Sequence, residues 1–286
     1  MKMKLIILFL TLCFAYSVKA QKTGASREDI KNFYKSKTIV VLEDNPLTEY
    51  NAQITDAVKK YWTITPYEFI TFSEFEKKRS DPSLSFLFKT QAQFEKDKTK
   101  AVYNFITLVM GNKNRSSDLD LMPDLCSFPL SYSSEYEENY AYKIPTIVRF
   151  VQRHVQLIDS LPQIDQNVIY KFYNANMLSV ADKEFWVVKE DMASEVSSLQ
   201  KIAAVYKGTV KFVTAEDIST AIEEKLENVV FLHKIGPTKN DYKGRCWKLI
   251  LGTSDAKLYY FDYHMINGNN PDGFLDKDFK KLKKIH

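Results

Sequence analysis

Short apolar runs alternate with segments whose apolar residues recur at helical spacing, and the whole series occurs twice in the same order. Residues 39–42 (IVVL) and 185–188 (FWVV) are continuous apolar runs of the kind expected for buried strands. After the first run, Asn45 and Pro46 supply a helix cap and a first-turn proline. Leu47, Tyr50, Ile54, Ala57 or Val58, and Tyr61 then follow at intervals of three and four. Val196, Leu199, Ala203 and Tyr206 do the same after the second run. Another strand is predicted over 67–70 and over 210–213. Each runs into a Thr-x-x-acid signature, Thr71 with Glu74 and Thr214 with Asp217, in which a hydroxyl caps a new helix and the carboxylate reaches back to the cap. Three further strands are predicted in each series, over 84–88, 102–110 and 118–122 and over 229–235, 246–252 and 259–266. Their turn-like, charged connections suit antiparallel pairing. A closing helix is expected over 145–160, with Ile147, Val148, Val151, Val155, Ile158 and Leu161 on one face, and another over 276–285.

The two series also echo each other in wording. VVLED at 40–44 matches VVKED at 187–191, EFITFSEFE at 68–76 matches KFVTAEDIS at 211–219, and 102–106 falls opposite 246–250. The offset runs from 147 through 143 to 144, and a change of four residues is about one helical turn, so the first helix can differ without disturbing a sheet. A period this long excludes a solenoid and predicts a duplicated domain. The predicted fold class is therefore α+β, with two tandem repeats of β-α-β-α-β-β-β-α, each a mixed sheet covered by helices. The repeats are placed at 21–162 and 163–286, with a short helix over 164–173 bridging them. Residues 123–143 stand out as a Tyr/Glu-rich insertion in the first repeat. If helical, they would present Tyr132, Tyr136 and Tyr140 as a stripe beside Glu135, Glu137 and Glu138. Tyrosine offers contact area at little rotamer cost, which makes these three the candidate partner-binding residues. Packing of the tyrosines on their own domain is the alternative, and carbohydrate binding by exposed aromatics is a third.

The succession of elements beginning at residues 38–42 (TIVVL) and including 56–62 (DAVKKYW) resembles the small α/β envelope-protein domain of TolB (its amino-terminal domain), CsgG and LpoB. The resemblance implies a protein-contacting role in the cell envelope, because those domains work by association and carry no catalytic set. This chain departs from them in having two copies and no lipid-bearing cysteine.

Composition narrows the setting. Met1-Lys2-Met3-Lys4, the apolar stretch 5–15 and Val18-Lys19-Ala20-Gln21 have the charged, apolar and small-residue parts of a secretory signal peptide, with cleavage expected after Ala20. Cys13 follows Leu12 rather than a small residue, which argues against a lipid anchor. No later segment approaches the roughly 20 apolar residues of a membrane span. Export to the periplasm or cell exterior is expected. Without residues 1–20 the chain has 37 basic and 36 acidic side chains. That balance lacks the footprint of a nucleic-acid binder, and only 277–284 is locally basic, as expected for a solvated helix face. Cys126 and Cys246 remain, as one candidate disulfide or two buried thiols.

Motifs for the commonest chemistries are missing: the sequence has no HExxH, CxxC, GxSxG, phosphate-loop or dinucleotide glycine pattern, and 8 glycines in all. No cofactor or metal is expected. His154, His233, His264 and His286 are scattered. His154, beside Arg153, fits a half-exposed or capping role. Asp262 and His264 share a strand face and form the one candidate catalytic pair, for a hydrolase or transferase working in a cleft between the repeats. Residues 267–273 (NGNNPDG) resemble a calcium loop superficially, but an EF-hand alignment puts Gly268 and Phe279 at ligand positions, leaving an Asn/Gly turn. The favoured expectation is an exported, non-enzymatic binding or assembly protein whose partner is an envelope protein or surface polymer.

Overall fold

The structure, a computed structural model, describes residues 24–97, 99–113, 119–237 and 243–283. The expected signal peptide with Cys13, and His286, lie outside the described residues. Two five-stranded mixed sheets with helices form two similar halves. In the first, β1 (Lys37–Leu42) lies between β2 (Tyr67–Thr71) and β3 (Leu84–Gln93), parallel to both. Antiparallel β4 (Val102–Met110) and β5 (Asp124–Tyr132) extend the sheet from β3. In the second, β6 (Glu184–Val187) lies parallel between β7 (Thr209–Phe212) and β8 (Val229–Ile235), and β9 (Arg245–Gly252) and β10 (Leu258–Met265) extend it antiparallel. The helices also correspond: α2 (Glu49–Tyr61), α3 (Phe72–Lys78) and α4 (Ile144–Ser160) match α6 (Leu199–Val205), α7 (Ala215–Glu224) and α8 (Asp276–Lys281). A short helix precedes each sheet, α1 (Arg27–Phe33) and α5 (Gln166–Asn174).

The echoed phrase does what its spacing predicts. Thr71 N donates to Glu74 Oε2 at 2.9 Å, and Thr214 N donates to Asp217 Oδ2 at 2.8 Å, closing a capping box at the start of α3 and of α7. These hydrogen bonds to the charged form hold both carboxyls below their ordinary range. The first helix begins later than expected. Thr48, not Asn45, caps α2, accepting from Asn51 N at 3.2 Å. Asn45 Oδ1 instead accepts from Leu47 N in a local turn, which leaves Leu47 90% exposed and off the core face.

The larger correction concerns residues 118–143. The fifth strand of the first repeat is β5, not 118–122, so most of what looks like an insertion is sheet. Pro123 and Pro129 conceal it. An edge strand tolerates proline where the missing N–H would face away from the ladder, and Pro129 sits opposite Phe105 beside a register shift. The extra length of the first repeat lies before this strand. Tyr132 accordingly ends β5, Tyr136 lies in a turn at 77% exposure, and Tyr140 is buried beneath a short 3₁₀ turn. No tyrosine stripe forms. Cys126 and Cys246 are separate buried free thiols, so the disulfide does not form either.

The repeats stack in the same sense rather than back to back. One face of the first sheet (Val40, Leu87, Ile106, Leu108) is covered by α2 and α4, and the other (Ile39, Val41, Phe86, Phe88) by Phe75 of α3. In the second repeat α6 and α8 cover the face bearing Phe185, Val187, Val230 and Leu232. The opposite face, with Phe231, Ile235, Leu249 and Leu251, joins Ile218 and Ile222 of α7 in the core that holds α2 and α4. Helix α4 is thus packed from both sides, which explains why it is long and apolar while α8 is short and exposes Lys280 and Lys281. Arg149 of α4 donates to the carbonyls of Thr253, at 2.8 Å, and Ser254. Such stacking is heterologous, so one docking face is left over. It is the α3 side of the first sheet. Among the described residues no helix is long and apolar enough to cross a membrane.

Candidate functional site

Pairing registers place the two sheets on one another strand by strand. Ile39 pairs with Phe86 and Phe86 with Val109, as Trp186 pairs with Phe231 and Phe231 with Leu251. On this register Phe88, Thr90, Phe105, Thr107, Ser127 and Pro129 correspond to His233, Ile235, Trp247, Leu249, Phe261 and Tyr263. Three positions change chemistry together. Where the second sheet packs buried Ile235 and Leu249 and half-buried Phe261 against the first repeat, the first sheet carries the hydroxyls of Thr90, Thr107 and Ser127 on its α3 side, Thr107 buried and the other two half-buried.

Those hydroxyls form a row across β3, β4 and β5. Thr90 and Thr107 are 2.7 Å apart at Oγ1, and Thr107 Oγ1 lies 3.2 Å from Ser127 Oγ. Ser127 donates to the carboxylate of Asp124, at 3.1 and 3.0 Å. With that proton committed, Thr107 donates to Ser127 and Thr90 to Thr107. Threonine is at home in a strand, which lets the sheet carry this chemistry without distortion.

Above the row lies a cavity of about 400 Å³, within the range of about 300–1,000 Å³ usual for ligand sites. Its walls are aromatic. Phe88, Phe94 and Phe105 come from the first repeat and Trp247 and Phe261 from the second. Trp247 has its ring centre 5.8 Å from those of Phe94 and Phe261 and 6.4 Å from that of Phe105, edge-on to the last. Arg245 fixes this wall: its guanidinium lies 3.9 Å from the Phe94 ring centre and pairs with Asp97 at 2.5 and 2.9 Å. Tyr103 Oη donates to Arg245 O at 3.1 Å and accepts from Arg245 N at 2.5 Å, joining the repeats at the same point. Trp247 is 7% exposed, and its Nε1 is buried with no hydrogen-bond partner among the described residues. A second cavity of about 440 Å³ shares Phe88, Thr90 and Gln91, so the groove continues across the sheet toward Val41 of β1.

The residues singled out from sequence lie elsewhere. Asp262 Oδ2 accepts from the Tyr260 hydroxyl at 3.1 Å and from Lys281, under α8. His264 Nε2 donates to Pro271 O at 2.8 Å. The two do not bond to each other and line neither groove cavity, so the expected catalytic pair is not formed. A cleft does run between the repeats on the far side of β5, lined by Cys126, His154 and Tyr173 among others. There His154 and Tyr173 share a hydrogen bond of 2.8 Å, and burial depresses the histidine to about 4, keeping it neutral. Among the described residues no group of three or more His, Cys, Asp or Glu is placed to hold a metal ion.

Thr90, Thr107, Ser127 and Trp247 were not legible as a site because their kinship depends on register. An offset of 144 sets Phe105 opposite Leu249 instead of Trp247, and without β5 Ser127 has no counterpart. No protein-family model matches the chain, and comparison with curated proteins and with solved structures finds no match either.

Proposed function

We propose that the protein is an exported, non-enzymatic binding or assembly protein of the bacterial cell envelope, and that it takes an envelope protein or surface polymer in the groove on its first sheet. One observation carries this reading. The face that docks one repeat on the other recurs on the first sheet with three apolar docking positions replaced by hydroxyls beside an aromatic-walled cavity. Buried sheet faces are apolar, and a polar row kept on such a face has a use that packing does not supply. The resemblance to the TolB, CsgG and LpoB domains, which work by association, supports the same role, and the signal-like residues 1–20 support the compartment.

The test is to give the groove the residues of the second repeat. Thr90→Ile, Thr107→Leu and Ser127→Phe together should leave the urea midpoint equal to or above that of the parent protein, since each residue is already accommodated at the matching ladder position. Co-sedimentation with native envelopes, measured by titration, should weaken by about tenfold or more, roughly 1.4 kcal/mol. Unchanged co-sedimentation by a folded triple variant contradicts the proposal.

A further inference from the structure

A second surface lies away from the groove, where α5 links the repeats. Four of the eleven large apolar side chains exposed among the described residues, Val168, Tyr170, Phe172 and Leu178, fall within this one stretch. Single exposed apolar residues are ordinary, whereas a concentration of them marks a contact site. We infer that the pocket between α4, α5 and the β9–β10 turn takes an anionic amphiphile, its carboxylate or phosphate met by Arg153 and Lys257 and its apolar chain lying against Phe172.

Helix geometry opens the pocket. Ile169 and Tyr173, one turn apart, face inward: Ile169 is 5% exposed, and the Tyr173 ring centre lies 5.4 Å from that of Phe150 and 6.0 Å from that of His154. At about 100° per residue, Val168 and Phe172 form the neighbouring stripe, which leaves Phe172 49% exposed at the pocket's edge. The pocket has a volume of about 370 Å³, within the range usual for ligand sites. Phe150, Leu157, Tyr173 and Leu258 give it apolar walls. The β9–β10 turn contributes Ala256, fully buried in left-handed backbone with φ 50°. Glycine takes that conformation without strain, so an alanine kept there is strain held at the pocket.

Charge selects the class of ligand. Arg153 and Lys257 line the pocket, and no Asp or Glu lines it among the described residues. Arg153 is exposed and makes no ion pair or hydrogen bond with a described residue. Lys257 is half exposed and lies 3.8 Å from Asp255, whose carboxylate also accepts from the Tyr259 hydroxyl at 2.8 Å and from Lys257 N at 3.0 Å. An exposed pair at that distance is weak, which leaves the ammonium available to a ligand. The polar groups of Tyr173 and Asn176 are committed to His154 and to Leu258 O, at 2.8 and 3.3 Å. A carboxylate or phosphate gains charge-assisted hydrogen bonds from both cations, and its chain buries the exposed apolar edge. A neutral amphiphile gains the second of these alone, and a small hydrophilic anion the first alone.

Isothermal titration of the mature protein with decanoate, decyl phosphate and decan-1-ol, each below its micellar concentration, tests the inference. At least one of the two anions should bind, about tenfold or more tightly than the alcohol, and the tighter of the two identifies the headgroup. Arg153→Gln and Lys257→Gln should each weaken the anion about fivefold and leave the alcohol unchanged, a difference that a folding defect would not produce. Phe172→Ser should weaken both kinds of ligand. The groove triple variant should bind the anion like the parent protein, because the pocket shares no lining residue with the groove cavities. Equal binding of the alcohol and both anions overturns the inference. Anion binding that survives both cation variants, or that the groove triple variant abolishes, also overturns it. Failure of every amphiphile to bind does the same, and leaves the groove to be decided separately by envelope co-sedimentation.

Discussion

Asp278→Asn is expected to lower the unfolding free energy by about 3–5 kcal/mol, the range found when one member of a buried ion pair is neutralised. Lys248 and Asp278 are both fully buried and 2.7 Å apart. Oδ1 of Asp278 also accepts from the Tyr260 hydroxyl at 2.9 Å, and Oδ2 accepts from Leu275 N at 2.9 Å, closing the first turn of α8. Burial and these two carboxylates, Asp278 and Asp262, push the Tyr260 hydroxyl well above its ordinary value, so it stays a donor. Removing the charge strands the Lys248 ammonium, with Asp262 at 3.9 Å as its remaining counterion. The first repeat shows the apolar solution to the same position: Ile106 stands where Lys248 does, paired with Phe128 where Lys248 is paired with Asp262. Adding Lys248→Met to Asp278→Asn should therefore restore most of the loss. Urea unfolding of the parent, the single and the double variant checks both statements, and a single variant as stable as the parent rules the account of α8 out.

The second large effect is on division of the chain. Fragments 21–162 and 163–286, produced separately, should not fold, although each contains a complete set of strands and helices. The second fragment alone would expose Phe231, Ile235, Trp247, Leu249, Leu251 and Leu258, each at most 7% exposed in the intact chain. The first would uncover Phe128 and Phe150, which meet His233 and Tyr173 of the second repeat. Exposing six large apolar side chains costs about 9–18 kcal/mol at roughly 1.5–3 kcal/mol each, comparable with the whole stability of a domain. Near-ultraviolet circular dichroism should be featureless for both fragments. The intact protein should unfold in one transition seen alike by fluorescence and far-ultraviolet signals. A sharp independent transition for either fragment contradicts the shared core.

Local chemistry was legible in the sequence and register was not. The duplication, the order of elements and the capping boxes at Thr71 and Thr214 follow from spacings within a few residues, where propensity and capping act. The fifth strand was hidden because Pro123 and Pro129 are strong signals against a strand, and only its position at the sheet edge makes them harmless. The tyrosine stripe failed for the same reason, since Tyr132 belongs to that strand. The groove lay deeper still. A two-residue slip in the hairpin equivalence keeps every side chain on its correct face yet pairs the wrong residues, so the exchange of Ile235, Leu249 and Phe261 for Thr90, Thr107 and Ser127 emerges from the ladders alone.

Whether the first sheet's open face is the working surface can be measured by labelling. Ala92 is half-buried on the same strand face as Thr90 and lines the groove cavity, Tyr136 is exposed in the turn after β5, and the native cysteines at 126 and 246 are buried. Maleimide labelling of Ala92→Cys and of Tyr136→Cys, each with and without native envelopes, compares the two surfaces in one experiment. Slowed labelling at position 92 with position 136 unchanged is the predicted result. Protection at 136 with 92 labelled as fast as in buffer would move the binding surface to the turn after β5 and contradict the groove.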